Sequence, residues 1–534
     1  MTADHERHHH DQTDLLEREG APTSNALLED RPNVGDDPSE AMLNEGDGPL
    51  PPPIHLRGKP NPISADAYKS LNTLQKEAVE HILHMKKGQF YLNGPAGTGK
   101  SFTACTAIAM LMRKKRRKGR ILILCPTHIA KLQFTLRLPT AWLEGQNPPV
   151  ELRTVSAFLG SGPQADKVTG RDHFPKGAFR TVEGVGIVFV DEVSMIGEYE
   201  LGEISKASKD IPVVYLGDAN QLLPVMKRAS AHFFHGMETI TLTEQMRNSG
   251  PVLKLCEELR RKLVYPQKTV RAVNEFGDVS QIIVHESRDE MIESFLIHLK
   301  NSPTPWESTY LAFTNLAVER VKRLAHHALY GDAVYCVGEF LRLGRHIPGQ
   351  NGNPHLGHRG NILQVRQIIG HEQRAITRNF TTEIWKLEVY NIDMKVSGVI
   401  KCVAPEEQER FLDLLEEMYQ ECSRLFSEKR MEAYEELRDE VNRLKQLANL
   451  KSPFSQTIHS AQGRSIPHVF VDSYNIADLG RDRRRLMYVG CSRTQYDLHV
   501  VRVTPALQEE FRERRSKRRA AKLAGDLQAA RALW

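Results

Sequence analysis

Apolar residues first fall into a sustained period near Ser64, where SLNTLQKEAVEHILHMKKG sets Leu71, Leu74, Ala78, Val79 and Ile82 at helical spacing. Residues 1–62 before it are polar, acidic and broken by Pro and Gly, and read as a disordered tail. Short apolar, β-branched runs then recur as QFYLNG, RILILCP, VGIVFVDE and IPVVYLGD, separated by helical or loop segments. That alternation predicts an α/β domain on a parallel sheet over residues 63–250. A second α/β unit is split: one part spans 251–331 and contains STYLAFTN, the other spans 453–504 and contains SQTIHSAQG, HVFVDSY and DLHVVRV. Between them, 332–452 changes character. Its first half alternates like small antiparallel strands (EFLRLGR, NILQVRQI, IWKLEVYNI, SGVIKCV), and its second half spaces Phe411, Leu415, Met418, Cys422 and Leu425 along one helix face. The segment predicts an inserted β-barrel plus helices, with a coiled-coil arm as the competing reading of the helices.

Length and charge sharpen this division. A chain of 534 residues with 40% hydrophobic and 26% charged residues is long enough for three or four cores. Its mean hydropathy of −0.44, without a long apolar run, argues against a membrane span. The N-terminus lacks the layout of a signal peptide, and the seven cysteines are scattered, never as CxxC. A cytoplasmic, reducing location is the expectation. The net charge of +5 hides an asymmetry, because residues 1–50 carry −10, which leaves +15 for the remainder. A basic body of that kind suits a polyanion partner. The C-terminal segment 505–534 reads as a basic tail, with eight Lys/Arg over 512–534.

The chemistry concentrates in a few segments. FYLNGPAGTGKS runs an apolar strand into a Walker A loop formed by Gly94, Pro95, Ala96, Gly97, Thr98 and Gly99, and then into a helix. Backbone N–H groups in such a loop close around phosphate, Lys100 reaches the β- and γ-phosphates, and Ser101 holds Mg²⁺. In GIVFVDEVSM, Asp191 and Glu192 end a buried strand, where ionised carboxylates need a cation. Asp191 is read as the second Mg²⁺ ligand and Glu192 as general base toward water. VVYLGDANQLLPV ends in Asp218 and Gln221, whose amide would sense the γ-phosphate. Arg247 in LTEQMRN and Arg493 in RLMYVGCSRT would neutralise the transferring phosphoryl group.

The ordered series LNTLQKEAV, GPAGTGKS, CPTHIAK, TVSAFLG, VFVDEVSM, LGDANQLLPV, LTEQMR, LAFTN, TIHSAQG and LMYVGCSRT resembles superfamily 1B helicases of the RecD/Dda group, closest to the phage-type Dda branch. It covers about residues 64–504. The resemblance implies two RecA-like motor domains, a small β-hairpin pin inserted in the first at about 160–182, and an SH3-like barrel plus helices inserted in the second. It implies ATP and Mg²⁺ as cofactors and 5′ to 3′ movement on single-stranded DNA with unwinding at forks, in replication, recombination or repair. It adds Gln75, reading the adenine edge, and Gly463 to the nucleotide site. For DNA it points to Thr127, His128 and Lys131, to Thr154, Ser156 and Phe158, to Phe313, Thr314 and Asn315, and to Thr457, His459 and Ser460. Small polar groups and aromatics of this kind suit phosphate contact and base stacking. Phe174, flanked by charge, Pro and Gly, is the candidate for stacking at the pin tip. The tails lie outside the resemblance and are left as possible sites for replication or single-strand-binding proteins. Two other functions compete: a RecD-like subunit of a recombination nuclease complex, and a nucleic-acid-dependent ATPase that remodels protein or RNA complexes.

Overall fold

The computed structural model describes residues 62–95, 97–114, 119–159, 164–165, 172–173, 182–222, 233–244, 250–273, 279–344, 347, 356–357, 359–377, 380–479 and 482–523. The acidic tail, Ala96, Phe174 and Arg247 lie outside them, as does the side chain of His128.

The first motor sheet draws on six strands: β1 (Gln89–Asn93), β2 (Arg120–Cys125), β3 (Val150–Thr154), β6 (Val185–Val190), β7 (Val213–Gly217) and β8 (Glu238–Thr241). Between β3 and β6, the two-residue strands β4 (Gln164–Ala165) and β5 (Asp172–His173) pair antiparallel, within the stretch where the sequence predicts a hairpin. The order is β3-β2-β6-β7-β1-β8, parallel throughout. Its central strands are apolar on both faces because helices cover both, so β7 (VVYLG) is buried at every position. The helix Thr73–His84 starts where Asn72 and Gln75 form a capping box, and it buries Ala78, Val79 and Ile82 completely.

The second motor sheet is built from β9 (Val270–Val273), β10 (Val279–His285), β11 (Ser308–Ala312), β17 (Ser455–Thr457), β18 (Ile466–Val471) and β19 (Thr494–Val501). Its order is β17-β11-β18-β19-β10-β9, parallel except for β9 at the edge. The chain therefore crosses from β11 to β17 through the insertion. These are two RecA-like α/β sheets. The helix Pro251–Arg261 belongs to the second, because Val252, Leu255 and Leu259 join its core. So does the start of the segment expected to be a basic tail: Phe511, on the helix Pro505–Leu523, is fully buried in that core, and Arg518 pairs with Asp478 at 2.9 Å.

The insertion holds a five-stranded antiparallel sheet, β15-β14-β13-β12-β16, from β12 (Phe340–Leu343), β13 (Ile362–Thr377), β14 (Phe380–Asn391), β15 (Val396–Val403) and β16 (Leu450–Lys451). The far ends of β13 and β14 carry Ile376, Phe380 and Ile384 onto the helices Gln408–Ser427 and Met431–Leu444. All five residues of the predicted helix face, Phe411 to Leu425, are buried in that contact. The helices thus pack on a β-ribbon instead of forming a free coiled coil. No helix among the described residues is long and apolar enough to cross a membrane.

Inside the second motor, His285 Nε2 and His499 Nδ1 approach to 3.0 Å, and His499 stacks on Phe470 at 3.8 Å. Burial pushes the His499 imidazole down to about 3, with the neighbouring His285 adding to the effect. His499 therefore stays neutral when folded but takes a proton near pH 6.5 when unfolded. Its contribution is complete above that pH and is lost as the pH falls, by up to about 1.4 kcal/mol per pH unit. In urea titrations at pH 7.5 and 5.5, the wild type should lose stability relative to His499→Phe on acidification. An unchanged difference would mean that His499 is already protonated in the fold.

Candidate functional site

The loop after β1 is shaped by backbone that other residues would resist. Gly97 and Gly99 have φ of 92° and 80°, and a Cβ on Gly94 would lie 2.7 Å from Thr98 Oγ1 and 3.1 Å from Leu242 O. Lys100 Nζ donates to Gly94 O at 2.6 Å and Pro95 O at 2.9 Å, so the lysine spans the loop it follows. Ser101 begins the helix Lys100–Lys114 beside it. The loop is anchored from behind: Gln75 Nε2 donates to Thr98 O at 3.1 Å while its Oε1 accepts from Asn72 N. Gln75 is fully buried, makes one bond from each end of its amide, and is not among the residues lining the cleft, so in this structure it braces the loop.

Across from the loop, β6 delivers Asp191 and Glu192. Asp191 is 5% exposed, and burial together with the adjacent Glu192 charge holds its carboxyl well above the usual range. Glu192 adopts φ 45°, rare for a residue with a side chain, and its Oε2 is buried without a partner. Two crowded carboxylates with an orphaned oxygen fit a divalent cation, and the residues present suit MgATP: Ser101 and Asp191 for the metal, the glycine loop and Lys100 for phosphate.

A cleft of about 370 Å³ joins the two motors here. The first contributes Pro95, Gly97, Gly99, Lys100, Ser101, Asp191 and Glu192; the second contributes Gly463, Arg464 and Arg493. Arg493 is 4% exposed and is held by Val489 O at 3.1 Å, Arg464 O at 3.2 Å and Ser492 Oγ at 2.9 Å. Three further cations line the same cleft and escaped the sequence reading. Arg137, past the CPTHIAK helix, donates to Gln133 O at 2.7 Å; Arg260 ends the helix Pro251–Arg261, its Nε buried without an acceptor; Arg464 adjoins Gly463. No spacing rule singles them out, because the fold alone brings them to this cleft.

Gln221 sits elsewhere than its expected place. It is not among the residues lining the cleft; its Oε1 accepts from Gln462 Nε2 at 3.2 Å, and Gln462 also donates to Ser194 Oγ at 3.3 Å and Leu222 O at 3.3 Å. This cluster joins the two motors. So does Asp218, fully buried, which accepts a hydrogen bond from the Tyr488 hydroxyl.

The candidate DNA residues gather at the ends of neighbouring strands. Thr127 follows β2 and Thr154 ends β3, which pair as Cys125 with Thr154. Both threonines cap short helices, accepting from Ala130 N and Ala157 N at 3.1 Å. Lys131 is half-buried and Ser156 exposed. Phe158 is a correction: at 1% exposure it packs with Leu122, Leu124 and Val188 in the core under the sheet and offers no face to a base. In SAF the polar residue faces out while the aromatic turns inward. In the second motor, Ala312 pairs with Thr457, which sets the Phe313–Asn315 and Thr457–Ser460 loops side by side. Asn475 Oδ1 accepts from Phe313 N at 2.9 Å and Thr314 N at 3.0 Å; Asn315 and Ser460 are exposed. His459, its imidazole held below the ordinary range by burial, lies 6.2 Å from the Phe313 ring.

Two family models match the chain: an AAA domain over residues 70–282 and a UvrD-like helicase C-terminal domain over 454–501. Together they support ATP-dependent helicase activity. Among curated proteins no relative matches. Similar solved structures include the Pif1 helicase of Candida albicans, with 15% identity, 84% of this chain and 99% of that chain covered, and a TM-score of 0.43. The Bacteroides Pif1 helicase in complex with ADP-AlF3 and single-stranded DNA has 13% identity, 84% and 98% coverage and a TM-score of 0.42.

Lys100 and Glu192 should separate binding from turnover. Lys100→Ala should abolish nucleotide binding and hydrolysis together, whereas Glu192→Gln should bind nucleotide normally and fail to hydrolyse it. Equilibrium binding of a fluorescent ATP analogue and phosphate release would be followed side by side. Hydrolysis by Glu192→Gln at the wild-type rate would remove Glu192 from the chemistry.

Proposed function

We propose that this chain moves 5′ to 3′ along single-stranded DNA at the expense of ATP and unwinds duplex ahead of it. The observation that carries the proposal is the cleft itself, where the phosphate loop and carboxylates of one sheet face Arg464 and Arg493 of the other. MgATP, when bound there, supplies a labile phosphoanhydride and a compact negative charge. Lys100 and the glycine loop hold the phosphates, Ser101 and Asp191 hold the metal, and Glu192 takes the proton from the attacking water. Arg493 supplies positive charge from the opposite motor, so the site is complete only when both halves face each other. Arg247 would add a second such charge and Phe174 a stacking surface at the fork.

The strand path follows from the same sheets. Thr127, Lys131 and Ser156 mark one sheet's edge and Asn315, Thr457, His459 and Ser460 the other's, so a change of cleft width alters the distance between two strand-holding patches. That is the geometry a translocating motor needs. The direction of travel rests on the motif series. A subunit of a recombination nuclease complex and a remodelling ATPase would share the cleft and differ in unwinding.

The purified chain should unwind a duplex with a 5′ single-stranded tail, in ATP, and leave a 3′-tailed duplex intact. Unwinding from 3′ tails would reverse the polarity; strand-stimulated hydrolysis without any unwinding would favour the remodelling ATPase. Arg493→Ala should lower strand-stimulated turnover about 10³-fold, with ATP affinity little changed. Normal turnover would place Arg493 outside the chemistry.

A further inference from the structure

Away from the phosphate loop, the join between the second motor sheet and the inserted sheet gathers positive charge. Arg342 lies on β12, Arg359 in the turn ahead of β13, Lys451 on β16, and Arg464 beyond β17. Gln456, in the middle of β17 and 2% exposed, stands among them. Its Oε1 accepts from Arg342 Nη1 at 3.1 Å and from Arg464 Nη1 at 3.2 Å, while its Nε2 is buried with no acceptor. Arg342 Nε makes one further bond, to Ser452 O at 3.3 Å. Burial, with repulsion from Arg464 and Arg359, pushes the Arg342 guanidinium down to about 9, and burial depresses Arg464.

The acids whose charge reaches this group are already engaged. Asp393 Oδ2 accepts from Asn361 Nδ2 at 3.0 Å and Ile362 N at 2.9 Å, and Glu319 pairs with Lys322 at 2.9 Å. Among the described residues, no carboxylate forms an ion pair with Arg342, Arg359, Lys451 or Arg464. Like charges at a half-buried join are costly unless an anion compensates them. The unused groups, guanidinium N–H, ammonium and the Gln456 amide, are all donors. The missing partner must therefore be negative and rich in acceptor oxygens, which describes a phosphate.

We propose that this join is a binding site for the backbone phosphates of a single strand, held by Arg342, Arg359 and Lys451 and oriented by Gln456. The proposal rests on the translocase reading and extends its strand path onto the inserted domain. Three of the four cations belong to the inserted sheet. Gln456 directly precedes Thr457 in β17, so the cluster adjoins, along the backbone, the loop that carries exposed Ser460. Arg464 alone also lines the nucleotide cleft, which makes the nucleotide the other source of phosphate and the one to be distinguished.

The test measures binding of a labelled oligothymidylate from about 50 to 200 mM salt, with ATP affinity measured separately without DNA. Arg359→Gln/Lys451→Gln changes two exposed side chains, so folding is not at stake. It should weaken strand binding at low salt and flatten the log-log salt slope by about 1.4, at ~0.7 per lost phosphate contact. Arg342→Gln should flatten it by about 0.7 on the same basis. ATP affinity should be unchanged in the double variant. Wild-type slopes in both variants would overturn the site, and so would reduced ATP affinity with intact strand binding. A wild-type chain that binds no strand would overturn the translocase reading itself and the site with it.

Discussion

Asp191 and Glu192 put two carboxylates at one strand end with little water, and the protein leaves one of the four oxygens without any partner. Most of the architecture around them serves that imbalance. The glycine loop brings Lys100 and a helix N-terminus to the same place, and the second motor adds Arg464 and Arg493. Neither sheet alone encloses the site. A parallel sheet sends its strand ends to one edge, so the fold supplies the convergence and the loops supply the chemistry.

The same logic accounts for the loops proposed to hold DNA. β2 with β3, and β11 with β17, are adjacent parallel pairs, so residues that follow them emerge next to each other. Much of what sits at these ends is devoted to holding loops in shape. Thr127 and Thr154 cap helices, and Asn475 ties down Phe313 and Thr314 from a separate helix. A loop fixed by internal hydrogen bonds presents its remaining exposed groups, such as Asn315 and Ser460, with little entropy left to lose on binding.

The strands and glycines of the first motor were legible because periodicity and a phosphate loop are local signals, and the face from Phe411 to Leu425 was legible for the same reason. Other readings depend on distant partners. Gln75 reads as a ligand contact, and in the fold its amide also bonds Asn72 N and Thr98 O. Phe158 stands beside exposed Ser156, and only the position of Leu122 and Val188 beneath it decides which way the ring turns. Phe511 sits in a run dominated by arginine, and a single buried ring converts an expected tail into part of a core. Arg137 and Arg260 lie in no motif and Arg464 directly follows TIHSAQG, and their convergence exists only in the folded chain.

The contacts that cross between the motors differ in what it costs to release them. Gln462 gives its amide to Gln221, Ser194 and Leu222, and Arg484 reaches Asn220 at 3.2 Å; these are neutral acceptors that water replaces for about 1 kcal/mol per bond. Tyr488 and Asp218 are different, since both are buried and the acceptor is a carboxylate with no water at hand. Parting them would leave a buried hydroxyl and a buried carboxyl without partners, a larger penalty than any of the amide contacts carries. Movement that changes the cleft width therefore costs least when it exchanges the Gln462 bonds and turns about Tyr488.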